Sequence, residues 1–260
     1  MRIRTRVRAA VDALYAKRLS ARLAGRPRPG HIGIMLDGNR RWAKVAGYKD
    51  PREGYKAGGA KVVQFLQWCG SAEIEHVTLF MLSDDNLNRP ERELLPLIGV
   101  IEDVVDQLAA PANPWVVEIV GALDLLPAES ANRLKRAAAE THGRTGGTRV
   151  DIAVGYGGRR EIVHAVRSAI LEHGERGGDL EELAETFTME HISKHLYSKV
   201  RPESDLIIRT SGEQRLSGFL LWQSAYAEVY FCECYWPDFR EIDFLRALRS
   251  YSERDRRYGR

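Results

Sequence analysis

The run His31-Ile-Gly-Ile-Met-Leu-Asp-Gly-Asn-Arg-Arg-Trp-Ala43 puts a carboxylate, an amide and two guanidiniums within five residues. Asp37 can hold a divalent cation, and Gly38 lets backbone N–H groups come close to a phosphate. Arg40 and Arg41 can fork onto phosphate oxygens. A tight turn into a basic helix explains Gly38 and Asn39 alone, but explains poorly why Asp37 and two arginines crowd the same turn. Similar sets recur: Ser83, Asn86 and Arg89; Gly157 and Gly158 ahead of Arg159 and Arg160; Arg209, Arg215 and Ser217. Singly, each arginine reads as a surface residue. Together with a carboxylate they point to a site for diphosphate groups, with Mg²⁺.

These sets need elements that bring them together. Each follows an apolar run short enough for a buried strand: Ile32–Leu36, His76–Leu82, Val150–Tyr156 and Leu206–Ile208. Parallel strands deliver their C-terminal ends to one rim, where ligands bind. Trp115–Val120 reads as a further strand, and Phe219–Trp222 and Val229–Phe231 bracket a segment containing Glu228. Helical patterns lie between the strands. One runs through Tyr55, Val62, Leu66 and Trp68, with Gly58, Gly59 and Ala60 for close packing; another follows Pro90 as far as Leu108. Others follow Pro127, cover 162–171 and 189–197, and close the chain at 238–250. The alternation predicts an α/β fold, a single domain whose mostly parallel central β-sheet is flanked by helices. The N-terminus of the helix after Gly157-Gly158 reads as a weak anion site.

The 260 residues are 44% hydrophobic, ordinary for a globular protein, and no apolar run approaches the ~18 residues that span a membrane. Arg2, Arg4, Arg6 and Arg8 are followed by no apolar segment, which argues against a secretory signal. Three cysteines, Cys69, Cys232 and Cys234, argue for reduced thiols and a cytoplasmic protein. Residues 1–30 carry nine arginines and lysines against Asp12 alone and read as a basic N-terminal helical arm. Val7, Val11, Leu14, Tyr15, Leu19 and Leu23 share one face of it, which fits a helix docked on the body better than an arm lying on a membrane. Peripheral contact with the inner face of a membrane stays open, while nucleic acid is not expected as a partner, because no basic surface interleaved with aromatics accompanies the arm. There is no GxxxxGK[ST], no GxGxxG at Gly155–Glu161, no zinc spacing and no DDxxD, since Asp84-Asp85-Asn86-Leu87-Asn88 has no second acid cluster.

The blocks HIGIMLDGNRRWA (31–43), SDDNLNRP (83–90), GYGGRREI (155–162), DLIIRTSGEQRLSGFLLWQSAYAEVYF (205–231) and WPDF (236–239) resemble the cis-prenyltransferases, the undecaprenyl diphosphate synthase family, over 31–260. The resemblance implies a catalytic domain of cis-prenyltransferase fold with a hydrophobic tunnel, working as a homodimer. Such enzymes join isopentenyl diphosphate to an allylic diphosphate with Mg²⁺. It assigns Asp37 and Asn86 to catalysis, and Gly38, Asn39, Arg40, Arg41 and Arg89 to the allylic diphosphate. Arg209, Arg215, Ser217 and, from a partner subunit's tail, Arg257 and Gly259 would bind isopentenyl diphosphate. Asp37 and Glu228 would hold the metal. Three departures stand out: Pro51-Arg52-Glu53-Gly54-Tyr55 replaces the family's Arg-x-x-Gly-His, Leu87 stands for an aromatic, and Met81, followed by Leu82, for a small residue. Met81, Leu82 and Leu87 would then shorten the tunnel, and a packed wall does not accept many extra methylenes. The expected product is (2Z,6E)-farnesyl diphosphate from geranyl diphosphate. The alternatives are a medium- or long-chain polyprenyl diphosphate synthase, or a non-catalytic prenyltransferase-like subunit, which would have no need of Asp37, Arg209 and Arg215.

Overall fold

A computed structural model describes residues 15–198 and 203–254. Six strands form one all-parallel sheet in the order β3-β4-β2-β1-β5-β6. They are β1 (His31–Met35), β2 (His76–Ser83), β3 (Val116–Val120), β4 (Arg149–Tyr156), β5 (Leu206–Arg209) and β6 (Glu228–Phe231). Every residue of β1 and β5 is buried, as expected of central strands covered on both faces. The described helices are α1 (Asn39–Val45), α2 (Arg52–Ser71), α3 (Glu91–Ala109), α4 (Ala128–Ala139), α5 (Gly158–Glu175), α6 (Leu180–Thr186), α7 (Met189–His195) and α8 (Glu241–Ser252). Residues 15–23 are also helical. The segment around Phe219–Trp222 is a series of turns, and Glu228, placed by the sequence between it and Val229–Phe231, itself opens β6.

Side chains alternate between the two faces of the sheet. Ile32, Ile34, Val77, Leu79, Ile152 and Ile208 point into the larger core, with Phe65, Leu66, Ile101, Leu108, Leu134 and Phe244 from α2, α3, α4 and α8. Met35, Ala153 and Ile207 face a smaller core with Phe219 and Leu220. The sheet is therefore fixed from both sides, and its C-terminal rim is a rigid platform.

The predicted arm is half visible. Ala16 and Leu19 are buried in the larger core and Leu23 packs against it, so the helix docks on the body at residues 15–23. Tyr15, assigned to the buried face, is 40% exposed and lies under the Arg246 guanidinium at 5.8 Å. Val7, Val11 and Leu14 lie outside the described residues.

Away from the rim, Glu172 of α5 ties down α7. It accepts from Lys194 Nζ at 2.6 Å and His195 Nε2 at 2.7 Å and also pairs with Arg176. The hydrogen bond from Lys194, helped by His195 and Arg176 against the cost of burial, holds its carboxyl down at about 2. A depressed carboxyl contributes stability above its unfolded pKa, near 4.5, and that contribution is lost as pH falls toward 2. Amide exchange in α7 is expected to accelerate over this window while β1 and β5 stay protected.

Candidate active site

β1 ends at Met35, and the next residues turn sharply: Gly38 adopts φ +101°, a left-handed conformation that disfavours side chains. A Cβ there would lie 2.6 Å from the Tyr235 ring, so both conformation and space require glycine. The turn is held by Thr210, which follows β5. Asp37 N–H donates to Thr210 Oγ1 (3.0 Å), and that hydroxyl donates to the carbonyl of Asp37 (2.8 Å). The Trp236 backbone N–H adds a bond to the same carbonyl at 3.0 Å. Trp236 is itself fully buried, and its indole N–H reaches the Gly58 carbonyl of α2 at 2.8 Å.

Asp37 therefore stands at a fixed point with its carboxylate over the rim. One oxygen accepts from Gly38 N–H (2.7 Å), and the other accepts from Arg209 Nη2 (2.9 Å). Burial alone would raise its carboxyl; the hydrogen bond and charge of Arg209, aided by Ser211 and Arg41, overcome this and hold it low. The group is an anion ready for a cation or a donor. Arg209 is the most buried cation of the site, its side chain 4% exposed. Its Nη1 donates to Ser217 Oγ (3.0 Å) and to the Arg215 carbonyl, and its Nε is buried with no protein partner.

A concavity of about 720 Å³ opens above this pair, within the usual range for a small-molecule site. Asp37, Gly38, Asn39, Arg40 and Arg41 line it, as do Asn86, Arg89, Arg209 and Ser217. Arg41 donates to Ser211 Oγ (2.7 Å), pairs with Glu213 (3.2 Å) and lies over the Tyr235 ring at 5.5 Å. Arg40 is exposed, 3.4 Å from Glu93. These groups give the mouth a positive field in which an anion of several charges can settle.

Other expected residues sit differently from Asp37 and Arg209. Asn39 is turned toward α2: its amide donates to the Leu36 carbonyl (3.0 Å), and its buried carbonyl oxygen sits where a Cβ on Gly58 would be 2.2 Å away. It locks α1 against α2, and Gly58 is small to admit it. Of the small residues expected to permit close packing, Gly58 and Gly59 are buried, but Ala60 is exposed. The Arg215 side chain is exposed and paired with Glu213 at 2.5 Å; only its carbonyl reaches Arg209. Glu228 opens β6 opposite Leu206, three ladder steps or roughly 10 Å below Arg209, and pairs with Arg254; within one chain it is not brought to Asp37. The N-terminus of α5 is sealed, with Gly158 N–H bonded to the Gly218 carbonyl and buried Glu161 in the first turn, so it is not an anion site. Arg257 and Gly259 lie outside the described residues.

The apolar wall also differs from a simple alternation. β2 carries an irregularity between Phe80 and Ser83. Phe80 and Met81 both line the concavity with Leu97 of α3, whereas Leu82 is 1% exposed in the larger core. Leu87 packs against that core and is not a lining residue. Tyr55, read in the sequence as an apolar helix position and as a departure from the family pattern, lines the concavity, and its hydroxyl accepts from Arg89 Nη1 at 3.2 Å. Lys44 and Lys49 also line it and were not anticipated. Both are isolated lysines in a polar stretch, and no local pattern marks them.

The family described as undecaprenyl diphosphate synthase matches residues 34–259, and the chain belongs to this prenyltransferase family. Isoprenyl transferase 2 of Streptomyces coelicolor is 78% identical, covering 99% of this chain and all of that protein. The (2Z,6E)-farnesyl diphosphate synthase of Thermobifida fusca is 53% identical over 95% of this chain and 96% of its own. Among solved structures, lavandulyl diphosphate synthase from Lavandula x intermedia, in complex with dimethylallyl diphosphate, superposes with a TM-score of 0.82 at 32% identity, covering 90% of this chain and 99% of that one. The chain is an enzyme of cis-prenyl transfer.

Proposed function

We propose that the chain condenses isopentenyl diphosphate with a short allylic diphosphate, geranyl diphosphate, to give (2Z,6E)-farnesyl diphosphate. The observation that carries this reading is the pairing of two unlike walls in one concavity: Asp37 and Arg209 on the polar side, and Phe80, Met81 and Leu97 on the apolar side. The first suits diphosphate, and the second suits a prenyl chain and sets where it stops. The relatives support a short product, since the Thermobifida fusca protein is named for that compound.

No cluster of three or more metal-binding side chains occurs among the described residues. Mg²⁺ is usually held by one or two carboxylates together with substrate phosphates and water. Asp37, a low-pKa carboxylate beside the diphosphate pocket, is the residue to hold it. When bound, the ion would neutralise charge growing on the departing diphosphate. The chain's own groups do the rest. Arg41 and the Gly38 turn hold the allylic diphosphate, and Arg89, steadied by Tyr55, lies at its side. Arg209 and Ser217 hold the diphosphate of the second substrate. As the allylic C1–O bond breaks, its electron pair leaves with the diphosphate. The olefin of isopentenyl diphosphate attacks C1, and a proton is lost from C2 of that unit to make the new double bond. Asn86, at the lip, is placed to orient the reacting carbons.

The same reading extends to assembly and place. β6 is an open sheet edge of half-buried residues beside exposed Tyr226, which suits pairing with a second copy, as in a homodimer. Among the described residues no helix is long and apolar enough to cross a membrane. A cytoplasmic protein whose exposed Lys17, Arg18 and Arg22 touch an anionic membrane from the inside fits this arrangement.

The test is a product assay with labelled isopentenyl diphosphate and either geranyl or farnesyl diphosphate. A single C15 product from geranyl diphosphate is expected, and a ladder to C50 would overturn the short-product reading. Met81→Ala should release part of the apolar wall and add products longer than C15. An unchanged product from this variant would mean that the chain does not run along Met81.

A further inference from the structure

Behind the polar wall lies a feature that this chemistry does not use. β6 runs on past Phe231 into Cys232-Glu233-Cys234, and the two sulfurs are 3.3 Å apart. Residues two apart in an extended strand share a face, and the chain bends at Glu233 and Cys234, so the two thiols lie on one side and meet. The tripeptide also braces the active-site loop. Cys232 N–H donates to the Arg209 carbonyl (2.8 Å); its own carbonyl receives Gly212 N–H (2.9 Å), and that of Cys234 receives Ser211 N–H (2.7 Å). Ser211 and Gly212 both hold left-handed backbones, at φ 80° and 75°; the glycine adopts this readily, whereas the bond to Cys234 helps hold Ser211 in a conformation its side chain disfavours. Ser211 carries Arg41, and Tyr235, next after Cys234, packs on Gly38. Three backbone hydrogen bonds thus connect the Cys232–Cys234 segment to the diphosphate pocket.

We propose that Cys232 and Cys234 form a redox-modification site, closed to a disulfide by a hydroperoxide, whose closure displaces the Ser211–Gly212 loop and lowers prenyl transfer. The chemistry balances with hydrogen peroxide as oxidant. The Cys232 sulfur attacks one peroxide oxygen, the O–O bond breaks, and water leaves behind a sulfenic acid. The Cys234 sulfur then attacks that sulfur, the S–S bond forms, and the hydroxyl departs as a second water with the Cys234 proton. A dithiol reductant reverses the reaction by exchange. The order of events follows from the pair. The hydrogen bond from Cys234 lowers the Cys232 thiol despite burial, while Cys234 is pushed up, so Cys232 is the first nucleophile. Closure brings the sulfurs from 3.3 Å to about 2.05 Å, and that movement passes into the two carbonyls that hold the loop. Cys69 is an internal control: it is fully buried, and burial pushes its thiol well up.

The experiment exposes the full-length, folded protein to graded hydrogen peroxide, alkylates it under denaturing conditions, and maps the cysteine peptides by mass. The peptide bearing Cys232 and Cys234 should lose two mass units and resist alkylation, while Cys69 is alkylated in full. Prenyl transfer should fall at least tenfold, as expected when site groups shift by about 1 Å, and return with dithiothreitol. Cys232→Ser and Cys234→Ser should each keep the reduced enzyme's activity and lose the peroxide response. Free thiols on that peptide after treatment, irreversible sulfinic acid, or a disulfide with undiminished turnover would each overturn the proposal. Should a serine variant not fold, the mass and activity of the wild-type chain decide the matter alone.

Discussion

Asp37→Asn should leave a folded protein that turns over at least ~1,000-fold more slowly, with Mg²⁺ unable to restore it. The substitution is chosen for what it keeps. An asparagine side chain has the size of the carboxylate and retains one oxygen for Gly38 N–H, so the turn after β1 keeps its local bond. It loses the negative charge, and with it the ionic bond from Arg209. In this site that charge is set against Arg209 and Arg41 at the C-terminal ends of β1 and β5. A divalent ion binds an amide oxygen far more weakly than a carboxylate, and a leaving diphosphate without that counter-charge departs more slowly. Asp37→Ala should show a similar catalytic loss together with a lower melting temperature. It strips the buried Arg209 guanidinium of its carboxylate, and a buried charge that loses its partner is destabilising. Thermal melts and turnover of the two variants, measured side by side, separate the charge from the fold. An asparagine variant within tenfold of wild type would remove Asp37 from the chemistry.

How far the sequence foretold this site depends on the kind of signal. Strand-ending polar sets at Asp37, Asn86 and Arg209 were legible because a buried strand leaves a short apolar run, and parallel strands share one C-terminal rim. The sheet follows the same logic: five strands were marked by runs in the chain, and the sixth, β6, showed only as the short apolar Val229–Phe231. What the sequence did not show were partners fixed by long-range packing. Asn39 lines the concavity, yet its side chain also reaches the Leu36 carbonyl and lies against Gly58 of α2, a contact with no local signature. Leu82 looked like a tunnel residue, but the irregularity in β2 moves it into the core and leaves Phe80 and Met81 on the concavity. Tyr55 reached Arg89 from a helix whose contact with the 83–90 loop has no local signature. Glu228 was assigned by resemblance, and its position on the far end of β6 is a matter of ladder register.

Arg209→Lys should raise the KM for isopentenyl diphosphate by about 10-fold to 150-fold, since each hydrogen bond to a charged group contributes about 1.5–3 kcal/mol. The positive charge survives this substitution, but the fork does not. Arg209 reaches three places at once: Asp37 through Nη2, and Ser217 and the Arg215 carbonyl through Nη1. A lysine ammonium is a point donor on a flexible stem and cannot span the carboxylate and the 215–217 loop together. Ser217 has φ 46° and Gly218 φ 78°, so this loop needs outside anchors to stay in place. Losing the fork frees it, and the phosphate-binding wall loses its shape while its net charge is kept. The Nε of Arg209 adds to the argument, because a buried donor with no protein partner is costly unless a ligand oxygen meets it. Saturating isopentenyl diphosphate should therefore recover most of the kcat in the lysine variant, whereas it recovers none in Asp37→Asn. If the lysine variant instead lost kcat at unchanged KM, Arg209 would act on the departing diphosphate, and the assignment of the two substrates to the two halves of the rim would have to be reversed.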